Sequence, residues 1–459
     1  METLGQTTSA CPVCRQPAPA KVLVENDEVH FVTFCPEHGE ARSLVRRDVA
    51  AYLGAQRNVK AAWVPREFST DGRRGCPEDC GFCPRHEQHL CLPILEITSR
   101  CDLACPACLV SAGAPWDMRL DDFSRVLDGL LRAERQLDVL NLSGGEPLLH
   151  PQLLALVDAA LARPEIVRVS ISTNGLRLLE DPKLLRELQA RKVVVSLQFD
   201  GFDERAYQVL RGRPLLETKR RILERLAESG TTTSLTMTVA GGVNDRQLRP
   251  VLDYLFAHDH VVSLMLQPLA FVGRGAQLAG TVGRLTLPDV VRAVGAAGHP
   301  AVSAGDFLPL PCSHPLCFSL AFYLKVDDGR AVSVARLAQG NVIRDVLANR
   351  TIFGLDAEEH ERLKQMVYEL WSGPAGSVPE GEAVLKTLRG LLRELSCGCF
   401  EPRAAFGVAE RRVKSIFIHA FQDAGSFDLA RVRRCCNAYP QPDGRLIPAC
   451  VQNVLRRGR

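Results

Sequence analysis

Three cysteines carry the strongest chemical signal in this chain: Cys101, Cys105 and Cys108, spaced C-x3-C-x2-C, directly after the apolar run Leu92-Pro93-Ile94-Leu95-Glu96-Ile97. A strand that feeds a tight loop of three inward thiolates can hold three corners of a cubane iron–sulfur cluster. Only three thiolates are local, which leaves one iron open to bind a further ligand.

Other cysteines also stand at metal-ligand spacing. Cys11-Pro12-Val13-Cys14 and Cys35-Pro36-Glu37-His38-Gly39 are two knuckles at the ends of a hairpin expected over 21–34. Such a pair encloses a tetrahedral metal, with Cys11, Cys14 and Cys35 as ligands and His38 as the natural fourth. Zinc and a single rubredoxin-like iron share that geometry, so the sequence leaves the metal open. Cys76, Cys80 and Cys83, followed by Cys91, offer four thiolates and hence a fully ligated auxiliary cluster, within a long loop over 66–92 that has little helical period. His86 and His89 lie inside that loop and read as outer or surface residues. Further along, Cys312 and Cys317 with Cys435 or Cys436 and Cys450 suit another cluster. Cys397 and Cys399, one residue apart, read as ordinary thiols.

The chain has 459 residues, 46% of them hydrophobic and 24% charged, with a net charge of +3 and 17 cysteines. This is an ordinary globular composition. No basic block points to nucleic acid as a partner, and Lys219-Arg220-Arg221 reads as a solvated helix face. No apolar run reaches the roughly 20 residues that span a bilayer, and the N-terminus lacks a signal-peptide pattern. The expectation is a cytoplasmic protein whose membrane contact, if any, is peripheral. In a reducing compartment, grouped cysteines favour metals and clusters over disulfides.

The loop of Cys101 needs a scaffold, and the sequence supplies alternating strands and helices. Strand-like runs occur at 93–98, 139–143, 167–172, 193–199, 232–240 and 261–267. Between them lie helical patterns, the clearest being Phe123, Val126, Leu127, Leu130 and Leu131. Six such units imply an α/β fold with a parallel sheet, a partial (β/α)6 TIM-like barrel rather than a closed eight-stranded one. A small metal-knuckle unit precedes it and a cysteine-bearing extension follows. The expected division is 1–50, 51–92, 93–275 and 276–459, with helices over 288–296, 357–370 and 382–395 and a strand over 412–421. Chemistry belongs at the carboxyl ends of the parallel strands. Those ends read Ser143-Gly144-Gly145-Glu146, Ser172-Thr173-Asn174-Gly175 and Ser196-Leu197-Gln198-Phe199-Asp200. Two glycines permit close backbone approach to a ligand, and Glu146 can accept from an ammonium group.

With these strand ends in order behind a three-cysteine loop, the sequence resembles the radical S-adenosylmethionine (SAM) superfamily over roughly residues 92–270. The resemblance implies that Cys101, Cys105 and Cys108 ligate a [4Fe–4S] cluster whose open iron binds SAM, and that SAM is cleaved to a 5′-deoxyadenosyl radical. It implies that Gly144, Gly145 and Glu146 receive the SAM amino group, and that Thr173, Asn174 and Ser196 line its ribose and carboxylate side. Arg211 is a candidate carboxylate partner, with surface pairing as the alternative. Ala107 stands where the family often has a bulky residue near the adenine. A narrower resemblance covers nearly the whole chain, through the two N-terminal knuckles, Cys76-Pro77-Glu78-Asp79-Cys80, Arg434-Cys435-Cys436 and Leu446-Ile447-Pro448-Ala449-Cys450. It is to a subfamily of archaeal tetraether lipid synthases and pterin-methylating relatives, which implies one or two auxiliary [4Fe–4S] clusters and one mononuclear zinc or iron. The first expectation is carbon–carbon coupling of lipid alkyl chains, the second methyl transfer to a pterin or similar small molecule. A zinc-stabilised binding module without activity is a third. The enzyme readings require an external electron donor of ferredoxin or flavodoxin type.

Overall fold

The computed structural model describes residues 2–57, 59–110, 114–327, 330–337, 381–396 and 402–457, and a few positions between 361 and 372. Cys397, Cys399 and most of the expected helix 357–370 lie outside the described residues.

The N-terminal unit is a four-stranded antiparallel sheet in the order β1 (Glu2–Ala10), β2 (Pro17–Glu25), β3 (Glu28–Cys35), β4 (Gly39–Arg47). The expected hairpin is β2–β3. Its two-residue turn is Asn26-Asp27, both at positive φ (50° and 60°), the backbone that a right-twisted hairpin needs and that Asn and Asp tolerate. The outer strands β1 and β4 carry no clean apolar alternation that would predict them. The inner face buries Val22, Val29 and Phe31 against Tyr52 of the following helix and Leu316 of the main body.

The main sheet contains the six expected parallel strands as β5 (Leu92–Thr98), β6 (Leu137–Gly144), β7 (Ile166–Thr173), β8 (Val194–Gln198), β9 (Thr233–Val239) and β10 (Val261–Pro268), each paired to the next. Helices cover the outer face. The helix Leu120–Ala133 buries Phe123, Val126, Leu127 and Leu130, as its spacing predicts.

The extension after residue 275 joins this sheet at both edges. Strand β11 (Leu308–Pro309) pairs with β12 (Phe318–Asp327), which also carries β13 (Arg330–Ser333). The expected C-terminal strand is β14 (Val413–His419), parallel to β10 and antiparallel to β12. At the other edge β15 (Asn437–Pro440) runs parallel to β5 and pairs with β16 (Leu446–Pro448).

Period-2 alternation gives the barrel strands an apolar outer face and a mixed inner one, where hydroxyls stand among Leu92, Ile94, Val139, Val194 and Met265. Strand β7 sends Val169 and Ile171 to the helices and Arg168, Ser170 and Ser172 inward; β9 sends Leu235 and Met237 out and Ser234 and Thr236 in. Closed eight-stranded barrels fill their interior with bulky branched side chains. Here small hydroxyl residues leave a cavity of ≈ 370 Å³. The helix Pro402–Arg412 covers the strand starts. Its Arg403 donates to the carbonyls of Leu161, Arg163 and Ile166, and its Glu410 pairs with Arg168.

Candidate functional site

Cys101, Cys105 and Cys108 lie on the loop that leaves the carboxyl end of β5. Three neighbours fix that loop. On one side Gly145 N donates to Thr98 O (2.8 Å) and Glu146 N to Arg100 O (2.6 Å). A Cβ on Gly144 would come within 2.2 Å of Thr98 O, and one on Gly145 within 2.2 Å of Arg100 O. The two glycines thus serve a close approach, as the sequence suggests, but their neighbour is the backbone that launches the cysteine loop. On a second side Ala107 N donates to Leu210 O (3.1 Å), and on a third Arg274 N donates to Cys108 O (3.0 Å). Ala107 is buried against Leu210, Ala240, Leu269 and Val282, so this position is small because it packs inward.

The Glu146 carboxylate is fully committed within the protein. Oε1 accepts from Thr173 Oγ1 (2.6 Å) and Leu148 N (3.1 Å), and Oε2 accepts from Asn174 N (2.8 Å). Burial pushes its pKa up to about 7 against the pull of those donors. Its side chain straps the end of β6 to the end of β7. Asn174 extends the strap by donating from Nδ2 to Asp102 Oδ1 (2.6 Å), in the cysteine loop. Ser196 is paired with Thr236 (3.1 Å) on the lumen wall.

Arg211 is buried rather than on the surface. Its guanidinium makes a two-point ion pair with Asp200 (2.6 and 2.8 Å), donates to Thr238 Oγ1 (3.0 Å) and reaches the Cys105 thiol. Lys219, expected on a solvated face, is fully buried. Its Nζ donates to Asn174 O (2.6 Å), Gln198 O (2.8 Å) and Gln198 Oε1 (2.8 Å), and desolvation lowers its pKa to about 7. Asp200 and Lys219 are the site residues that sequence reasoning missed. Asp200 was legible as an inward position after β8, whereas Lys219 sits beside two exposed arginines that hide it.

The cavity opens inside the strands whose ends carry these residues. Hydroxyl and amide pairs line it: Ser172 to Asn141 (3.1 Å), Ser196 to Thr236, and Ser263 to Ser234 (2.7 Å). Phe318, Phe417, His419 and Phe421 supply an aromatic side.

Among the described residues the other cysteines fall into four neighbourhoods. In the N-terminal sheet the ligand atoms of Cys11, Cys14, Cys35 and His38 all lie within 4.8 Å of one another, with Cys14–Cys35 at 3.9 Å, Cys11–His38 at 3.8 Å and Cys35–His38 at 3.5 Å. Tetrahedral bonds of about 2.0–2.3 Å place ligand atoms about 3.3–3.8 Å apart, so this donor set fits one zinc or iron. Cys76, Cys80 and Cys83 form a second group. Cys91 is not packed with that group. Its thiol faces Cys312 and Cys436, and these three share an apolar cluster with Cys317, Phe318 and Phe417. Strand pairing explains the change: β15 runs beside β5, so Cys91 N and Leu92 N both donate to Cys436 O (2.9 and 3.1 Å). Cys317, Cys435 and Cys450 form the last neighbourhood, around Arg431. His86 and His89 are buried, not superficial. His86 bonds to Cys435 O (2.8 Å), and His89 lies between Cys91 Sγ (3.5 Å) and Glu134 (3.1 Å).

The family model "Radical SAM superfamily" matches residues 95–255, and "HMPTM N-terminal zinc ribbon domain" matches residues 3–47. The chain is 27% identical to 7,8-dihydro-6-hydroxymethylpterin dimethyltransferase of Methanocaldococcus jannaschii, over 98% of this chain and 94% of that protein. It is 32% identical to GTP 3′,8-cyclase of Chlorobaculum tepidum over 38% of this chain and 53% of that one. It is 31% identical to the mycofactocin maturase MftC of Mycolicibacterium smegmatis over 40% and 45%. Among the described residues no helix is long and apolar enough to cross a membrane. The superfamily match begins on β5 and ends in the helix before β10, the same strands whose ends hold Cys101–Cys108, the glycine pair and the Glu146 strap: residues 95–255 of this chain form a radical SAM domain.

Proposed function

We propose that this radical SAM enzyme transfers methyl groups to a small, planar, polar heterocycle of pterin type bound in the barrel lumen. The observation that carries this reading is the near-full-length similarity to a pterin dimethyltransferase, which spans the zinc ribbon, the core and the extension together. The lumen supports it. A ≈ 370 Å³ cavity whose walls mix aliphatic side chains with hydroxyl and amide groups, with aromatic rings on one side, can hold a heterocycle with several donors and acceptors. The near-full-length relative is a pterin dimethyltransferase, so the lipid-coupling expectation is set aside in favour of the second one.

When bound to the cluster, SAM supplies a radical able to abstract hydrogen from an unactivated carbon. In this reading the chain's own residues prepare that event. Cys101, Cys105 and Cys108 hold the cluster, the glycine pair and the Glu146 strap fix their loop, and Thr173, Asn174, Ser196 and Arg211 shape the pocket beside it. Cys91, Cys312 and Cys436 border the aromatic side of the cavity and are ligand candidates for one auxiliary cluster. Cys317, Cys435 and Cys450, and Cys76, Cys80 and Cys83, are candidates for others. The ribbon holds a structural metal.

The test is anaerobic incubation of reconstituted protein with 7,8-dihydro-6-hydroxymethylpterin, excess reductant and excess SAM, followed by mass spectrometry. One SAM molecule gives the radical and a second the methyl group, with S-adenosylhomocysteine as by-product; a parallel arm adds a reduced-folate-type one-carbon donor. Expected products are 5′-deoxyadenosine and a pterin that carries one or two added methyl groups. Formation of 5′-deoxyadenosine with the pterin unchanged would overturn the substrate assignment, and consumption of an archaeal lipid precursor instead would restore the lipid reading.

A further inference from the structure

A small cavity of ≈ 40 Å³ lies at the seam where β4 of the ribbon meets the segment after β10 and the C-terminal segment 420–431. Three arginines line it: Arg46, Arg284 and Arg431. Arg284 is neutralised by Asp423 at 2.8 Å. Arg431 donates to Ala420 O (2.7 Å) and to Cys317 Sγ (3.4 Å), with Asp428 nearby. Arg46 differs. It is 6% exposed, yet its Nε and Nη1 have no hydrogen-bond partner among the described residues, and Nη2 reaches only Ala51 O at 3.5 Å. The acid nearest in sequence, Asp48, is used elsewhere, capping the next helix through Ala51 N (2.8 Å) and meeting Arg292 (3.5 Å). Asp423 is likewise filled: Oδ1 accepts from Ser426 N and Oδ2 from Phe271 N.

A buried guanidinium whose nearest acid, Asp48, makes no hydrogen bond to it is disfavoured, and two donor nitrogens left unpaired add to the cost. The cavity beside it exceeds the roughly 10–15 Å³ that one water needs. Arginine presents its donors in a planar fork that matches an oxyanion at two points. We propose that Arg46, flanked by Arg284 and Arg431, binds a small oxyanion, a carboxylate or phosphate group, which fastens the ribbon to the barrel. The site is separate from the cysteine loop and does not depend on the proposed substrate.

The experiment uses full-length, iron-reconstituted protein and its Arg46→Met and Arg46→Lys variants. Each is titrated at constant ionic strength with inorganic phosphate and, separately, with sodium formate, and the unfolding midpoint is read. The expected result is a saturable rise in the wild-type midpoint with at least one anion, lost in Arg46→Met and shifted to at least about tenfold higher concentration in Arg46→Lys. A response to formate alone points to a carboxylate of a larger molecule, and a response to phosphate points to a free or esterified phosphate. In anion-free buffer Arg46→Met should be at least as stable as wild type, since it removes an unpaired buried charge. No saturable shift with either anion overturns the proposal. So does a selenate-soaked crystal in which Arg46 Nε and Nη1 bond only to waters or to a cluster sulfide.

Discussion

Glu146 Oε1 accepts a hydrogen bond from Thr173 Oγ1 at 2.6 Å, while the other carboxylate oxygen holds Asn174 N at 2.8 Å. One side chain thus ties the end of β6 to the end of β7, beside the loop of Cys101. In Glu146→Gln an amide N–H would face donors that now meet oxygen. A buried donor left unpaired costs about 1–3 kcal/mol. Affinity for SAM should fall by roughly tenfold to a hundredfold, read by equilibrium binding to reconstituted protein, while the far-ultraviolet circular dichroism stays unchanged.

Lys219 gives a pH signature. Burial sets its pKa near 7 in the folded chain, against about 10.4 for an exposed lysine. Between these values the unfolded chain binds the extra proton, so this group makes stability rise with pH across that window and adds no slope below about pH 7. Lys219→Met should remove that rise. Denaturant melts of wild type and variant from about pH 7 to pH 10 check it, and parallel slopes would contradict the assignment.

In the ribbon, Cys14→Ser or His38→Gln opens the tetrahedral set. Elemental analysis should show loss of the one mononuclear metal, with the iron and sulfide of the barrel retained. Because ribbon metals supply folding free energy, limited proteolysis should then cut within 2–47 before it cuts the barrel.

Cys91 should behave as a partner of Cys312 and Cys436. Cys91→Ser, Cys312→Ser and Cys436→Ser should each lower iron content by the same step, and the double variant Cys91→Ser/Cys312→Ser should lose no more than either single one. Cys80→Ser should remove a different step, additive with the first. If Cys91→Ser and Cys80→Ser fail to add, the two share a cluster after all.

The barrel was legible because its strands alternate cleanly and its glycines sit where backbone crowds backbone. The donor set of the ribbon was legible because both knuckles are local in sequence. The grouping of the distant cysteines was not. Cys91 precedes β5 by one residue and Cys101 follows it, and seven strand residues separate those ends by about 20 Å. Which cysteines meet at Cys91 depends on the pairing of β15 with β5, a contact between residues more than three hundred positions apart that no local pattern encodes. Lys219 shows the same limit in one side chain: its neighbours in sequence are solvated, and only the helix packing turns it inward to Asn174 and Gln198.

The strands that finish the sheet also set an order of assembly. During synthesis β5–β10 are complete once residue 268 has emerged, yet β10 then lacks β14 and β5 lacks β15. Until residues 413–440 arrive, the nascent core presents two bare sheet edges, each able to pair with another chain. A ribosome that stalls or a protease that cuts in the intervening stretch would therefore leave an aggregation-prone fragment rather than a smaller working enzyme. Heterologous production should gain from slow synthesis and from chaperones that shield strand edges.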